Sequence, residues 1–73
     1  MKTTLKAARV KVGLTQSQVA KKLAVDRTTM VNWESGKTSP TLDNAQRMCR
    51  LYGISIADLA EPTERKEMQN DKS

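Results

Sequence analysis

Two short helical segments separated by only three residues constrain this chain more than any other feature of its sequence. Residues 16–23 carry their apolar side chains on one helical face, and Thr15 in front of them is a favourable N-cap residue. Asp26 is placed to cap a second helix over residues 27–35, and Gly36 is placed to end it in the left-handed conformation. Because the connection is so short, the two helices must pack against each other at a fixed angle.

Three further helices are predicted, so the expected fold class is all-α, a compact bundle of five short helices. Their expected spans are residues 4–12 (capped by Thr3 or Thr4), 42–52 (capped by Thr41) and 56–60 (capped by Ser55). Apolar residues recur at helical spacing in the first and fourth helices, at Leu5, Ala8 and Val12 and at Leu42, Ala45, Met48, Cys49 and Tyr52. No strand is expected, because no stretch alternates apolar and polar residues.

A chain of 73 residues is expected to contain one domain, which we assign to residues 1–61. The two closely joined helices form its central motif, at about residues 16–35. Residues 62–73 contain one apolar residue, Met68, among many charges, and cannot bury enough surface to offset the entropy of ordering. They are predicted to be a charged, flexible tail or a weak helical extension.

Basic residues dominate most of the chain. The net charge is +5, and residues 1–53 hold ten Lys and Arg against three Asp and Glu. This surplus favours a polyanionic partner, either nucleic acid or an anionic membrane surface. The alternative is a solvated basic face without a partner, which many small basic proteins have.

The composition argues against several other classes of protein. Cys49 is the only cysteine and there is no histidine, so neither an intramolecular disulfide, a metal site nor a cofactor is expected. No apolar run approaches the roughly 20 residues that span a bilayer, and Lys6, Arg9 and Lys11 interrupt any signal peptide. No carboxylate pair or Ser/Lys arrangement suits catalysis. A cytoplasmic protein that is not an enzyme and does not contact a membrane is therefore expected.

The central motif has an inner side, where its two helices and their turn meet, and an outer side on its second helix. Small and apolar residues are available to fill the angle between the helices, namely Ala20, Val25, Met30 and Trp33. Hydrogen-bonding residues fall on the opposite side, namely Arg27, Thr28, Thr29 and Asn32. Arg can bind guanine, Asn can bind adenine, and the methyl group of Thr can contact the thymine methyl. These residues are candidates for reading DNA bases; the alternative is that they are only solvated.

Three segments in register, GLTQSQVAKKL, NWESGK and SPTLDNAQRMCRLYGISIADL, resemble the lambda-repressor-like helix-turn-helix family of the Cro and xenobiotic-response-element type. The resemblance covers residues 5 to about 59. It implies a transcriptional regulator that binds double-stranded DNA in a sequence-specific way, of the Cro or controller type, at the nucleoid. The third helix would enter the major groove, and a homodimeric repressor would bind a (pseudo)palindromic operator.

The resemblance also implies roles for individual residues. Gln16, Ser35, Lys37 and Thr38 match positions that contact phosphate, through side chains and, in the loop, through backbone amides. Gln16 would also brace the third helix. Arg9 and Glu34 match a buried, structural ion pair. One position departs from the family, because Ala24 stands in the turn where Gly is common.

Two questions remain open at the level of sequence. The dimer interface is assigned to Ile54, Ile56 and Leu59, which offer more apolar surface than a small core needs; the alternative is that they are core residues. The alternative function is a protein-interaction module, an antitoxin or antirepressor that uses the same fold to bind a protein partner. A polar outer face on the third helix favours DNA over protein.

Overall fold

The computed structural model describes residues 2–60 of the chain. In this range the backbone forms α1 (Leu5–Lys11), α2 (Gln16–Leu23), α3 (Arg27–Ser35) and α4 (Leu42–Tyr52), followed by a 3-10 turn (Ile56–Asp58). The all-α class is confirmed. The predicted tail lies outside the described residues.

The expected fifth helix was wrong in both type and extent. Only a three-residue 3-10 turn forms, and Leu59 already has an extended backbone, with φ −75° and ψ 128°. The cause is pairing with the N-terminal segment. Thr3 donates its amide to the Asp58 carbonyl at 2.8 Å and accepts the Ala60 amide at 2.8 Å, so that Thr3 and Leu59 form an isolated parallel bridge. This pairing uses backbone groups that a longer helix would need.

Side-chain caps account for most of the helix starts. The hydroxyl groups of Thr4, Thr15 and Thr41 each accept a backbone N–H three residues on. At Thr15 the cap is reciprocal, because the Gln18 side chain also accepts the Thr15 amide at 2.8 Å. Asp26 occupies the N-cap position of α3, but its carboxylate makes no capping hydrogen bond, contrary to the prediction.

The apolar stripes of the four α-helices meet in one core. Leu5, Val19, Met30, Ala45 and Met48 are fully buried at its centre. Val12 does not join them, although the sequence suggested it. Since α1 ends at Lys11, Val12 is a C-cap residue with φ −93° and ψ 5°, and its side chain is 43% exposed.

The turn between α2 and α3 depends on one residue in the left-handed conformation. Ala24 has φ 59° and ψ 42°, the only positive φ among the described residues that are not glycine. This conformation lets Val25 donate its amide to the Ala20 carbonyl at 3.0 Å, which closes α2. An L-residue in this region carries a strain of about 1–2 kcal/mol.

We predict that Ala24→Gly raises the free energy of unfolding by about 0.5–1 kcal/mol, because relief of the strain exceeds the added chain entropy of Gly. Urea unfolding followed by circular dichroism measures the change. Ala7→Gly is the matched control, since Ala7 is exposed inside α1 and this substitution should cost about 1 kcal/mol. A loss of stability in both variants would contradict the strain at Ala24.

Candidate nucleic-acid interface

The carboxylate of Glu34 on α3 is bound by side chains from α1 and α2. Arg9 contacts it in a two-point arrangement, with Nε 2.6 Å from Oε2 and Nη2 3.1 Å from Oε1. Gln16 donates from Nε2 to the same Oε1 at 3.0 Å. The side chains of Arg9 and Glu34 are only 10% and 4% exposed. The cluster of Arg9, Gln16 and Glu34 therefore joins all three helices at one buried charge.

The surroundings favour the charged form of the Arg9 guanidinium. The hydrogen bond from Arg9 to Glu34 raises the pKa of the guanidinium, although burial opposes the shift. Nearby, burial raises the pKa of the Tyr52 phenol to about 12, and the negative charge of Glu34 adds to this effect. Within residues 2–60 the Tyr52 hydroxyl has no hydrogen-bond partner. Tyr52 is thus neutral at physiological pH and adds no charge beside Arg9 and Glu34.

A surface depression opens at the N-terminus of α2. It is lined by Arg9, Thr15, Gln16, Ser17 and Arg27. The first amides of a helix have no intrahelical acceptor, and they attract anions. Ser17 was not among the predicted site residues; its exposed place in the first turn of α2 was the available signal. The depression suits a phosphate oxygen between an arginine and a helix N-terminus.

Residues of α3 alternate between a side that faces the core and an outer side, as the helical repeat requires. Met30 and Trp33 point inward and are 0% and 6% exposed. Of the four predicted base-reading residues, Arg27 and Thr28 are exposed, whereas Thr29 and Asn32 are half-buried. Arg27 lies toward the depression at α2, so the structure brings it beside Gln16. The outer face also includes Val31, which is 37% exposed. Val31 was not among the predicted site residues, because only hydrogen-bonding side chains were considered for base contacts.

The loop after α3 presents side chains but not the amides that were expected to bind phosphate. The amides of Lys37 and Thr38 donate to the Asn32 carbonyl, at 3.0 and 3.3 Å. The Ser35 hydroxyl donates to the same oxygen at 3.2 Å. Ser35, Lys37 and Thr38 are all exposed. The Thr38 hydroxyl and the Lys37 ammonium group are therefore the donors available to a phosphate, and the Ser35 hydroxyl would donate to one only after releasing the Asn32 carbonyl.

The three residues assigned to a dimer interface have different environments. Leu59 is 5% exposed and belongs to the core, which corrects its assignment to a surface. Its extended backbone beside Thr3 turns the side chain inward. Ile54 and Ile56 are partly buried and line a depression with Gln46, Cys49 and Arg50. Burial raises the pKa of the Cys49 thiol, with a smaller contribution from Asp58.

The described part of the chain contains no group of three or more His, Cys, Asp or Glu side chains that could hold a metal ion. No helix in residues 2–60 has the length and apolar character needed to cross a membrane.

Comparisons with known proteins match almost the whole described range. Residues 5–59 fit the model of the helix-turn-helix family. An uncharacterized HTH-type transcriptional regulator of Archaeoglobus fulgidus is 41% identical over 59 residues, which are 81% of this chain and 84% of that protein. The cryptic phage CTXphi transcriptional repressor RstR of Vibrio cholerae is 34% identical over 56 residues, or 77% of this chain and 50% of the repressor. The transcriptional activator BcrR of Enterococcus faecalis is 34% identical over 55 residues, or 75% of this chain and 27% of the activator. No solved structure matches significantly.

We predict that Arg9→Met and Glu34→Leu each lower the free energy of unfolding by about 3–5 kcal/mol, because each leaves the other charge buried and unpaired. The double variant should lose clearly less than the sum of the two. Urea titrations of the four proteins give the coupling energy. The exposed pair of Arg47 and Asp43, 3.5 Å apart, is the control and should show a coupling below about 1 kcal/mol. Additive losses for Arg9 and Glu34 would contradict their mutual dependence.

Proposed function

We propose that this chain, which belongs to the helix-turn-helix family, is a sequence-specific regulator of transcription that inserts α3 into the major groove of double-stranded DNA. The regulators named above support a regulatory role rather than an enzymatic one. Such a protein acts in the cytoplasm of a prokaryotic cell, at the nucleoid. We further propose a repressor of the Cro or controller type, since a bound protein can block a promoter by its presence alone.

One observation carries the proposal: α3 is anchored on one side and free on the other. Met30, Trp33 and Glu34 attach it to the core and to the Glu34 cluster. Arg27 and Thr28 are exposed on the other side, with half-buried Thr29 and Asn32 at the edges of that face. A rigid helix with hydrogen-bonding groups on its free face meets the geometric requirement for reading base edges.

The proposed interface with DNA has two kinds of contact. Arg27, Thr28 and Asn32, with Thr29 at the edge, read base edges, whereas Gln16, Ser35, Lys37 and Thr38 contact phosphates and set the register. Gln16 combines this role with its hydrogen bond to Glu34, which ties a phosphate contact to the position of α3. Ser17 joins the phosphate group because of its place in the depression.

The domain, proposed at residues 1–61, carries one recognition helix, which covers only a few base pairs. A homodimer would place two such helices about 34–36 Å apart, one turn of DNA, on a (pseudo)palindromic operator. Ile54 and Ile56 are proposed to form the dimer contact, because they are the partly exposed apolar residues beyond α4. The tail at residues 62–73 lies outside this proposal.

The alternative function is a protein-interaction module of the antitoxin or antirepressor kind. Only the fold supports this second candidate, because such modules use the same fold to bind a protein partner. An apolar outer face on α3 would favour it, and apart from Val31 the face carries the polar residues Arg27, Thr28 and Asn32. The experiments below separate the two candidates, because a protein-binding module has no preferred operator.

The first test of function is selection of a preferred site from random DNA at two salt concentrations. Arg27→Ala and Asn32→Ala should then each weaken binding to that operator by about 1–3 kcal/mol and leave binding to random DNA nearly unchanged. Fluorescence anisotropy measures both affinities. Arg47→Ala, an exposed arginine on α4, is the control for loss of a charge. If Arg27→Ala weakens binding to operator and to random DNA equally, Arg27 contacts phosphate and not a base. Its place beside Gln16 is compatible with that contact.

Lys37 is predicted to contribute affinity without specificity. Lys37→Ala should weaken binding to every DNA alike and lower the slope of log K against log salt concentration by about one. Anisotropy titrations over a series of salt concentrations provide the slope. Lys22→Ala is the control, because Lys22 lies in the last turn of α2, away from the depression. It should leave the salt slope unchanged. An unaltered slope in Lys37→Ala would remove this residue from the phosphate contacts.

Two chains are expected to bind each operator. Sedimentation of the protein with operator DNA should yield a two-to-one complex, and Ile54→Lys should weaken its formation because a charge would enter an apolar contact. Val10→Lys, at the most exposed valine of α1, is the matched control. A one-to-one complex on a palindromic site would refute the dimer.

A further inference from the structure

Val31 lies on the exposed side of α3. It is 37% exposed. Residues three and four apart in a helix lie side by side, so Val31 is next to Arg27, Thr28, Glu34 and Ser35. Arg27, Thr28 and Ser35 are polar and exposed, whereas the Glu34 side chain is only 4% exposed. The face that is proposed to meet DNA therefore includes one apolar side chain, between exposed polar residues and the buried Glu34 cluster.

The packing of the domain does not explain this valine. Met30 and Trp33 fill the space between α3 and the core, and Val31 is absent from the buried cluster and from the apolar residues packed against it. Helix formation does not explain it either, because β-branched residues are weaker helix formers than alanine or leucine. Two more valines are exposed, Val10 at 58% and Val12 at 43%, but they lie in α1 and at its C-cap.

The chemistry of the major groove offers one match for such a side chain. Base edges there present hydrogen-bond donors and acceptors, and the only methyl group is the C5-methyl of thymine. A valine pressed against a donor or acceptor would leave that group without a partner, at a cost in binding free energy. Against a thymine methyl, both surfaces lose only water contact.

We infer that Val31 is a specificity-determining residue that contacts the C5-methyl group of a thymine in each half-site. The inference rests on the proposed function and adds a base preference to it. Val31 lies about 4.5 Å along the helix axis from Thr28. The thymine therefore lies within one or two base pairs of the base that Thr28 contacts. Removal of one buried methyl group corresponds to a loss of about four-fold in affinity.

Single replacement of thymine by deoxyuridine tests this contact, because the two bases differ only in the methyl group. Each thymine of the selected operator is replaced in turn, and the affinity of the protein is measured by anisotropy. The wild-type protein should lose about four-fold at one thymine per half-site. Val31→Ala should bind the thymine and deoxyuridine forms of that position equally. Val31→Thr, which keeps the shape but replaces one methyl group by hydroxyl, should show a reduced difference.

Two control variants make the assignment specific. Val10→Ala should retain the wild-type difference between thymine and deoxyuridine, since it removes an exposed valine outside the face. Thr28→Ser removes a methyl group from the neighbouring residue. It should leave the affinity difference between thymine and deoxyuridine at the Val31-dependent position unchanged. Circular dichroism checks that each variant is folded; alanine at an exposed helical position favours the helix.

The outcomes separate this inference from the function on which it rests. A selected operator without a Val31-dependent thymine would overturn the inference and leave the proposed function intact. The inference would also be overturned, with the proposed function intact, if the affinity difference between thymine and deoxyuridine persists in Val31→Ala. Loss of that difference in Thr28→Ser would have the same meaning. A wild-type protein that selects no DNA sequence would overturn the proposed function, and the inference with it.

Discussion

The rest of the structure depends on a single carboxylate, that of Glu34. A buried charge is tolerated only when its partners satisfy it, and here the partners come from two other helices. Arg9 binds it at two points from α1, and Gln16 binds it from α2. Since Glu34 itself belongs to α3, the three helices cannot move independently without breaking a charge-assisted hydrogen bond. The angle of α3 is thus held by electrostatics as well as by apolar packing.

This anchoring separates stability from specificity within one nine-residue helix. Met30 and Trp33 face the core, and Glu34 faces the buried cluster. Thr28, Val31 and Ser35 face away from it, so that substitutions there change little of the packing. If this face reads DNA as proposed, the preferred sequence can change while the scaffold stays the same. Val31 belongs to the side that faces away from the core, and its apolar character is therefore informative about the ligand.

The carbonyl of Asn32 illustrates how closely scaffold and surface are joined. It accepts hydrogen bonds from Ser35, Lys37 and Thr38, and it thereby shapes the loop that carries the proposed phosphate contacts. The side chain of the same residue lies on the outer face of α3 as a proposed base contact. In the proposed complex, register on the DNA backbone and readout of bases would therefore be coupled through one residue. A shift of α3 by even one ångström would then displace both kinds of contact.

The sequence by itself determined the class of fold, the four α-helices and most of their caps, because helix signals are local: a threonine before an apolar stripe and a glycine after it. It also contained the resemblance that named Arg9 and Glu34 as partners. The folded structure decided the rest. Pairing of Thr3 with Leu59 replaced the fifth helix by a 3-10 turn, and the early end of α1 exposed Val12. The loop amides close onto the Asn32 carbonyl through a local turn at Gly36, whose left-handed conformation was predicted although this closure was not. Only the tertiary structure placed Gln16 on the Glu34 carboxylate and left Val31 outside the core, because both outcomes depend on how the helices pack and not on sequence spacing.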